Sequence, residues 1–365
     1  MKFINLDRQS NKLKKKNISS IKKLFKNSEF IMGKDLLKLE EKLKNYVGAR
    51  YCVSTSSGTD ALLIALMSLN LKKGSEVITT PFTYVSTVEI ILRLGMKPVF
   101  VDVDYDTCNI SVDEIKKKIS KKTKAIIPVS LFGQPAKLKK INALAKTYNI
   151  PVIEDAAQSF GSKYLNKKSC NLTNIGCTSF FPTKSLGCYG DGGALFTNNK
   201  SIADKCKVLR SHGQRKKYNY EVLGVNARLD TIQASFLLNK LTQFDQEIKK
   251  RIHKAEYYFK NLNFTNIKFF KTDKGNFNIY TLFNIKVKNR KKLIDYLKEK
   301  KIPTMIYYPK PLHFYKPFRN YVKKSDTFSN SIRLSKEILS LPFSPYITKK
   351  EQDKVINSIR MFYKN

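Results

Sequence analysis

Acidic residues are scarce in this 365-residue chain: Asp and Glu total 29 against 69 Lys and Arg, a formal net charge of +40. An excess of that size points first to nucleic acid or to an anionic membrane surface. The lysines, however, are spread along the whole chain, with runs at 14–16, 116–124 and 286–301. No helix-turn-helix, RNA-binding or zinc-finger pattern accompanies them. A solvated basic surface is the better reading, with no nucleic-acid partner expected, and such a field helps to draw in an anionic substrate. Long apolar runs are also missing. Nothing approaches the 18 or so residues that span a bilayer, and the opening Met1-Lys2-Phe3-Ile4-Asn5-Leu6 lacks the apolar core of a secretory signal. The expectation is a cytoplasmic protein with no membrane partner. Paired cysteines are absent too. Cys52, Cys108, Cys170, Cys177, Cys188 and Cys206 show neither CxxC spacing nor histidines at ligand spacing. That excludes a zinc site, leaves no metal expected, and favours free, buried thiols.

What is present is ample core material, 42% hydrophobic and 12% aromatic, in a chain long enough for two domains. From about residue 30 to 240 short apolar runs alternate with helical periods. Candidate strands lie at 51–55, 76–80, 98–103, 124–130, 151–154, 177–181 and 193–197. Several are apolar on both faces, as strands of a helix-covered parallel sheet must be. Leu62, Ala65, Leu66 and Leu69 form one helical stripe, and Leu138, Ile141, Ala145 and Tyr148 another, closed by Gly74 and Pro151. Repeated βα units predict an open α/β sheet whose ligands collect at the carboxyl ends of its strands. After about residue 245 the pattern changes to a long amphipathic helix (247–262), a strand (279–287), a helix (290–300), a strand (302–308) and two final helices. The expected division is 1–245, a large α/β domain with an N-terminal arm, and 246–365, a smaller α+β domain.

Four segments carry candidate chemistry, each at a strand end. Ser57-Gly58-Thr59-Asp60 opens a helix, where backbone amides and a hydroxyl can hold a phosphate. Ordinary helix capping explains the same residues. Val152-Ile-Glu-Asp-Ala-Ala-Gln158 ends a buried strand with two adjacent carboxylates that must point to opposite sides. Asp155 at the tip can pair with a protonated ring nitrogen or cap the following turn. Ser179-Phe-Phe-Pro-Thr-Lys184-Ser-Leu-Gly187, followed by Gly190-Asp-Gly-Gly193, sets a lysine in a loop between two apolar strands. Partial desolvation there favours a neutral, nucleophilic amine able to form an imine. Gly224-Val-Asn226-Ala-Arg228-Leu-Asp230 precedes a helical run and offers an amide and a guanidinium to an anion, or merely starts a helix with an exposed arginine.

With these segments the chain resembles the DegT/DnrJ/StrS family of sugar aminotransferases, over nearly its whole length and most densely from Tyr51 to Leu241. The strand-end Asp155 with Gln158 three residues on, and Ser179 five residues before Lys184, carry the resemblance. It implies a type I PLP-dependent, aspartate-aminotransferase-like α/β fold with a mostly parallel central sheet and a smaller C-terminal α+β domain. It also implies pyridoxal 5'-phosphate (PLP) bound covalently to Lys184, with Asp155 on the pyridine nitrogen and Gln158 near the phenolic oxygen. Tyr84, in Pro81-Phe-Thr-Tyr-Val-Ser-Thr87, would cover the ring. Gly58, Thr59 and Ser179 would bind the phosphate, and Asn226 would reach in from the partner of a homodimer with shared active sites.

Within the family, Ser169-Cys-Asn-Leu172 and the segment 177–194 are closest to a subgroup that aminates UDP-2-acetamido-2-deoxy-3-oxo-glucuronate with glutamate as donor, for O-antigen sugars. That subgroup's substrate contacts fall on Ser28, Phe30, Thr183, Arg228, Tyr307 and Tyr308. Ser28 stands where glycine is usual, Phe30 replaces a tyrosine and Tyr307 a histidine; none of these touches the cofactor. The rival readings are an aminotransferase for a thymidine-linked 3-keto or 4-keto sugar, and a regulatory protein that kept the fold without catalysis. A keto-sugar dehydratase of the same family would carry histidine in place of Lys184.

Overall fold

The computed structural model describes residues 1–264 and 266–364. All seven expected strands of the first part form, as Tyr51–Thr55, Glu76–Thr79, Lys97–Phe100, Thr123–Ile126, Ile153–Asp155, Ile175–Ser179 and Gly193–Thr197. Glu76–Thr79 pairs in parallel with Lys97–Phe100 and Thr123–Ile126, and Ile153–Asp155 pairs in parallel with Ile175–Ser179. Parallel bridges Ile126–Val152 and Val129–Asp155 join the two groups into one sheet. Gly193–Thr197 alone runs antiparallel, between Tyr51–Thr55 and Ile175–Ser179. The sheet is therefore mostly parallel.

Both faces of this sheet are covered, and the two-residue repeat of a strand decides which side chain goes where. Along Gly193–Thr197, Ala194 and Phe196 join one core with Leu36, Leu39, Phe160 and Leu237, while Leu195 joins the other with Ile64, Ala65 and Ile90. The first core is roofed by helices Lys34–Val47 and Thr231–Leu241, the second by Gly58–Ser68. Burying a Leu or Phe side chain stabilises by about 1.5–3 kcal/mol, so this double layer holds the strand tips rigidly. Ahead of it lies a 22-residue helix, Leu6–Asn27, capped by the Asn5 side chain. It buries Leu13 and Leu24, and Gln9 donates to the buried Glu247 carboxylate.

The C-terminal part gathers around Tyr258, Phe283, Phe343 and Ile359. Helix Phe244–Asn261 places Phe244 and Ile248 in the first core and Ala255 and Tyr258 in this one, so one helix threads both. Phe283–Lys286 pairs with Ile338–Leu341, a strand that the sequence reading omits. The strand expected at 302–308 does not form. Only Met305 bridges, to Ser340. Pro303 lies within the segment and Pro309 follows it, neither with an N–H to extend a ladder, and Tyr307 and Tyr308 turn instead toward a cavity.

Candidate active site

The carboxyl ends of the strands open into a cavity of about 510 Å³. Its wall is built from Ser57, Gly58, Thr59, Thr83, Tyr84, Asp155, Gln158, Ser179, Thr183, Lys184, Asp191, Tyr307 and Tyr308, among others. One chain thus brings together ten of the residues singled out in the sequence, from Gly58 to Tyr308, and leaves Ser28, Phe30, Asn226 and Arg228 outside the wall.

The adjacent carboxylates of the Ile153–Asp155 strand part as strand geometry requires. Glu154 is fully buried and turned from the cavity, accepting from Ser130 Oγ, Ser169 Oγ and the Cys170 amide, each at 2.8 Å. Asp155 lines the cavity. Its Oδ2 accepts from Thr87 Oγ1 at 2.7 Å and its Oδ1 from the Ala157 amide at 3.2 Å. Burial pushes its pKa up, while Thr87, Ala157 and the charge of Lys184 pull it down. Lys184 answers in the opposite sense: burial lowers its pKa and Asp155 opposes that. The loop gives a half-buried amine whose hold on its proton is weakened by burial, and the neutral form is the one that attacks a carbonyl carbon.

The start of helix Gly58–Ser68 is capped as one reading of its sequence expects, and it also faces the cavity. Ser57 caps it by accepting from the Asp60 amide at 3.0 Å, and its hydroxyl donates to Asp60 Oδ2 at 2.7 Å. Gly58 and Thr59, one and two residues inside the cap, face the cavity. Glycine is required at 58: a Cβ there would lie 2.6 Å from Ser179 Cβ. The close approach brings the Ser179 hydroxyl, the helix amides and the positive end of the helix dipole together, an arrangement that favours an anion. Gly193, whose Cβ would meet Ser57 O at 2.3 Å, lets the neighbouring strand close in.

Gln158 is held at both ends, its Oε1 accepting from the Phe132 amide at 3.2 Å and its Nε2 donating to Tyr308 Oη at 2.7 Å. Tyr308 stands edge-on to Phe82, and burial pushes its pKa up. Tyr84 leaves 61% of its surface exposed at the cavity mouth. Ser28, Phe30, Asn226 and Arg228 form a second group outside this wall. Thr231 N donates to Phe30 O at 3.0 Å, Ile31 bridges Asp230, and Arg228 Nε donates to Asn226 Oδ1 at 3.0 Å. Around them apolar side chains face outward: Phe25, Phe30, Ile31, Leu37 and Leu223, the last 92% exposed.

Three contributors to the cavity escaped the sequence reading. Thr83 and Asp191 line it, and Thr87 stands behind Asp155. Both threonines lie in the segment 81–87 beside Tyr84, but no periodicity marks them: Thr83 precedes helix Ser86–Arg93 and Thr87 sits in its first turn. All six cysteines are buried and unpaired. Among the described residues no cluster of His, Cys, Asp or Glu suits a metal ion, and no helix is long and apolar enough to cross a membrane.

Residues 11–360 match the model of the DegT/DnrJ/EryC1/StrS aminotransferase family. The chain is 42% identical over 347 residues to the UDP-2-acetamido-2-deoxy-3-oxo-D-glucuronate aminotransferase of Pseudomonas aeruginosa, covering 95% of this chain and 96% of that one. It is 39% identical over 366 residues to a pleiotropic regulatory protein of Geobacillus stearothermophilus, covering 100% and 98%. To the dTDP-3-amino-3,6-dideoxy-alpha-D-galactopyranose transaminase of Aneurinibacillus thermoaerophilus it is 34% identical over 362 residues, covering 99% of each. Among solved structures it superposes on a DegT DnrJ EryC1 StrS aminotransferase from Brucella abortus with a TM-score of 0.95, at 37% identity and with all of both chains covered. The NtdA protein of Bacillus subtilis with bound cofactor PMP gives a TM-score of 0.94 at 29% identity, covering 100% of this chain and 85% of that one.

Proposed function

Because this chain belongs to the DegT/DnrJ/EryC1/StrS aminotransferase family, we propose that it transfers an amino group from glutamate to UDP-2-acetamido-2-deoxy-3-oxo-glucuronate. The coarser statement needs no proposal: the chain is a PLP-dependent enzyme of nucleotide-sugar transamination, with the type I architecture of that class. The cavity fits the cofactor on its own terms. It holds a helix start at Gly58 packed so closely on Ser179 that no Cβ fits, a buried carboxylate at Asp155 and a lysine whose proton affinity is lowered.

When bound, PLP supplies an aldehyde for the amine and a ring that stores electrons. In the proposed assignment Lys184 would hold the cofactor through Nζ, and the same nitrogen, when free, would carry a proton. Asp155 would present its anion to the ring nitrogen, and Gln158 would serve the phenolic oxygen. Tyr84 covers the ring against water. Gly58, Thr59 and Ser179 hold the phosphate through amides and hydroxyls. Thr183, Tyr307 and Tyr308 contact the substrate. Ser28, Phe30, Asn226 and Arg228, left outside the one-chain cavity, are proposed to complete the site of the other subunit in a homodimer. The outward-facing Phe25, Ile31, Leu37 and Leu223 beside them support that arrangement, since monomers seldom leave such side chains grouped in water. The work of the enzyme is placed in the cytoplasm, in the making of surface-polysaccharide sugars.

The observation that carries the uronate is the 42% identity across the whole chain to the Pseudomonas enzyme, against 34% to the thymidine-linked transaminase. Arg228 adds a planar fork suited to a sugar carboxylate. The test is turnover of the UDP-3-oxo-uronate against thymidine-linked 3-oxo and 4-oxo 6-deoxyhexoses, with glutamate as donor. Loss of a buried charge-assisted contact costs about 2–5 kcal/mol, so the uronate should win by tens-fold. Equal turnover of a neutral sugar refutes the uronate and leaves the aminotransferase standing. The likeness to a regulatory protein is the ground for a second reading. The joint presence of Lys184, Asp155 and Gln158 in one cavity supports catalysis over it.

A further inference from the structure

Asp155 reaches the cavity with both carboxylate oxygens already engaged, one by the Thr87 hydroxyl at 2.7 Å and one by the Ala157 amide at 3.2 Å. Thr87 is fully buried. A hydroxyl has one proton to give and an ionised carboxylate has none, so the Thr87 proton is spent on Asp155. Thr83 Oγ1 lies 3.5 Å from Thr87 Oγ1 and must then be the donor in that contact. The chain of hydroxyls runs one way, from Thr83 in the cavity wall through Thr87 to Asp155. Thr87 also sits in the first turn of helix Ser86–Arg93, where the partial positive charge of the free amides favours a nearby anion. Working against all this is burial, which favours the protonated acid, and Thr87 is its strongest opponent.

We infer that Thr87 is a positioning residue: it fixes the rotamer of Asp155 and holds it ionised, and so sets the protonation of the ring nitrogen of bound PLP. The inference rests on the proposed pairing of Asp155 with that nitrogen. It assigns to the 81–87 segment a task separate from the ring cover proposed for Tyr84.

Thr87→Val keeps the shape and removes the hydroxyl, while Thr87→Ser keeps the hydroxyl. Two readouts apply, PLP affinity of the cofactor-free protein and the absorbance of the holoprotein against pH. A hydrogen bond to a charged group is worth roughly 10- to 100-fold in an equilibrium, so Thr87→Val should bind PLP weaker by about that factor. Its low-pH absorbance transition should move up by about one unit, because Asp155 loses the donor that holds its pKa down. Thr87→Ser should stay within about threefold of wild type on both readouts, the hydroxyl being retained. A Thr87 that merely packs would change the melting temperature and leave the pH transition in place. Should Thr87→Val fail to fold, Thr83→Val must show a smaller shift of the same sign. The inference is overturned if Thr87→Val titrates like wild type, or if Thr87→Ser behaves like Thr87→Val. Asp155→Asn separates the two layers. If it too leaves affinity and titration unchanged, the pairing of Asp155 with the cofactor falls; if it disturbs both and Thr87→Val does not, only the role of Thr87 falls.

Discussion

Lys240 donates its ammonium group to the carbonyl of Gly187, 2.5 Å away, from beneath the loop that carries Lys184. Its charge also lies 3.9 Å from the centre of the Tyr189 ring. The same helix sends Gln233 to accept from the Tyr189 amide at 2.9 Å, and Asn17 of the first helix donates to the Tyr189 hydroxyl at 3.1 Å. The lysine loop is thus tied to helix Thr231–Leu241, which roofs the sheet, and to the first helix, Leu6–Asn27.

Burial pulls the Lys240 pKa down to about 8, with Cys188 and Glu247 opposing. The folded protein therefore releases this proton about pH 8 and the unfolded chain about the ordinary 10.5. Between those values the unfolded state binds more protons, so this group makes stability rise with pH there. The stability difference between wild type and Lys240→Met should be flat below pH 7. It should then grow in favour of wild type by up to about 1.4 kcal/mol per pH unit from pH 8 to 10. Urea unfolding at pH 6.5, 7, 8.5 and 9.5 measures it, and a flat difference throughout contradicts the assignment.

Arg210 and Glu40 form a buried pair at 2.5 Å, with side chains 4% and 12% exposed. Arg210 also donates to Ser54 O at 2.9 Å, and Glu40 accepts from the Ser54 amide at 2.8 Å. Glu40→Ala leaves a buried cation without its partner and should destabilise by about 3–5 kcal/mol. The denaturation midpoint should fall without a change in slope. A loss under about 1 kcal/mol would mean that the pair behaves as a surface salt bridge.

The proposed sharing of sites between two subunits makes a further prediction. Lys184→Ala and Asn226→Asp chains, each inactive as homodimers, should regain activity when mixed and allowed to exchange. In the mixed dimer one site carries both defects and the other carries neither. A mixture as inactive as its parents rules out the trans role of Asn226.

How much of this was legible in the sequence follows from which forces are local. The seven strands of the large sheet were readable because burial on both faces writes a continuous apolar run, as in Ala194-Leu-Phe196. The segment 302–308 carried a similar run and misled, since its pairing depends on Pro303 and Pro309 and on a partner strand about thirty-five residues later. Lys184, Asp155 and Gln158 could be located from motif spacing. Thr87 could not, because its role exists only through a contact with a residue 68 positions away. Ser28, Phe30, Asn226 and Arg228 lie outside the one-chain cavity, and the role proposed for them needs another subunit, which no periodicity within one chain encodes.

The central claim is that Lys184 holds the cofactor, and it is tested most directly by borohydride reduction of the PLP-loaded protein followed by peptide mapping. The pyridoxyl group should appear on the peptide containing Ser179-Phe-Phe-Pro-Thr-Lys184, in about one copy per chain, and should vanish in Lys184→Ala. A label on any other lysine, or a wild-type protein that takes up no label at all, contradicts it.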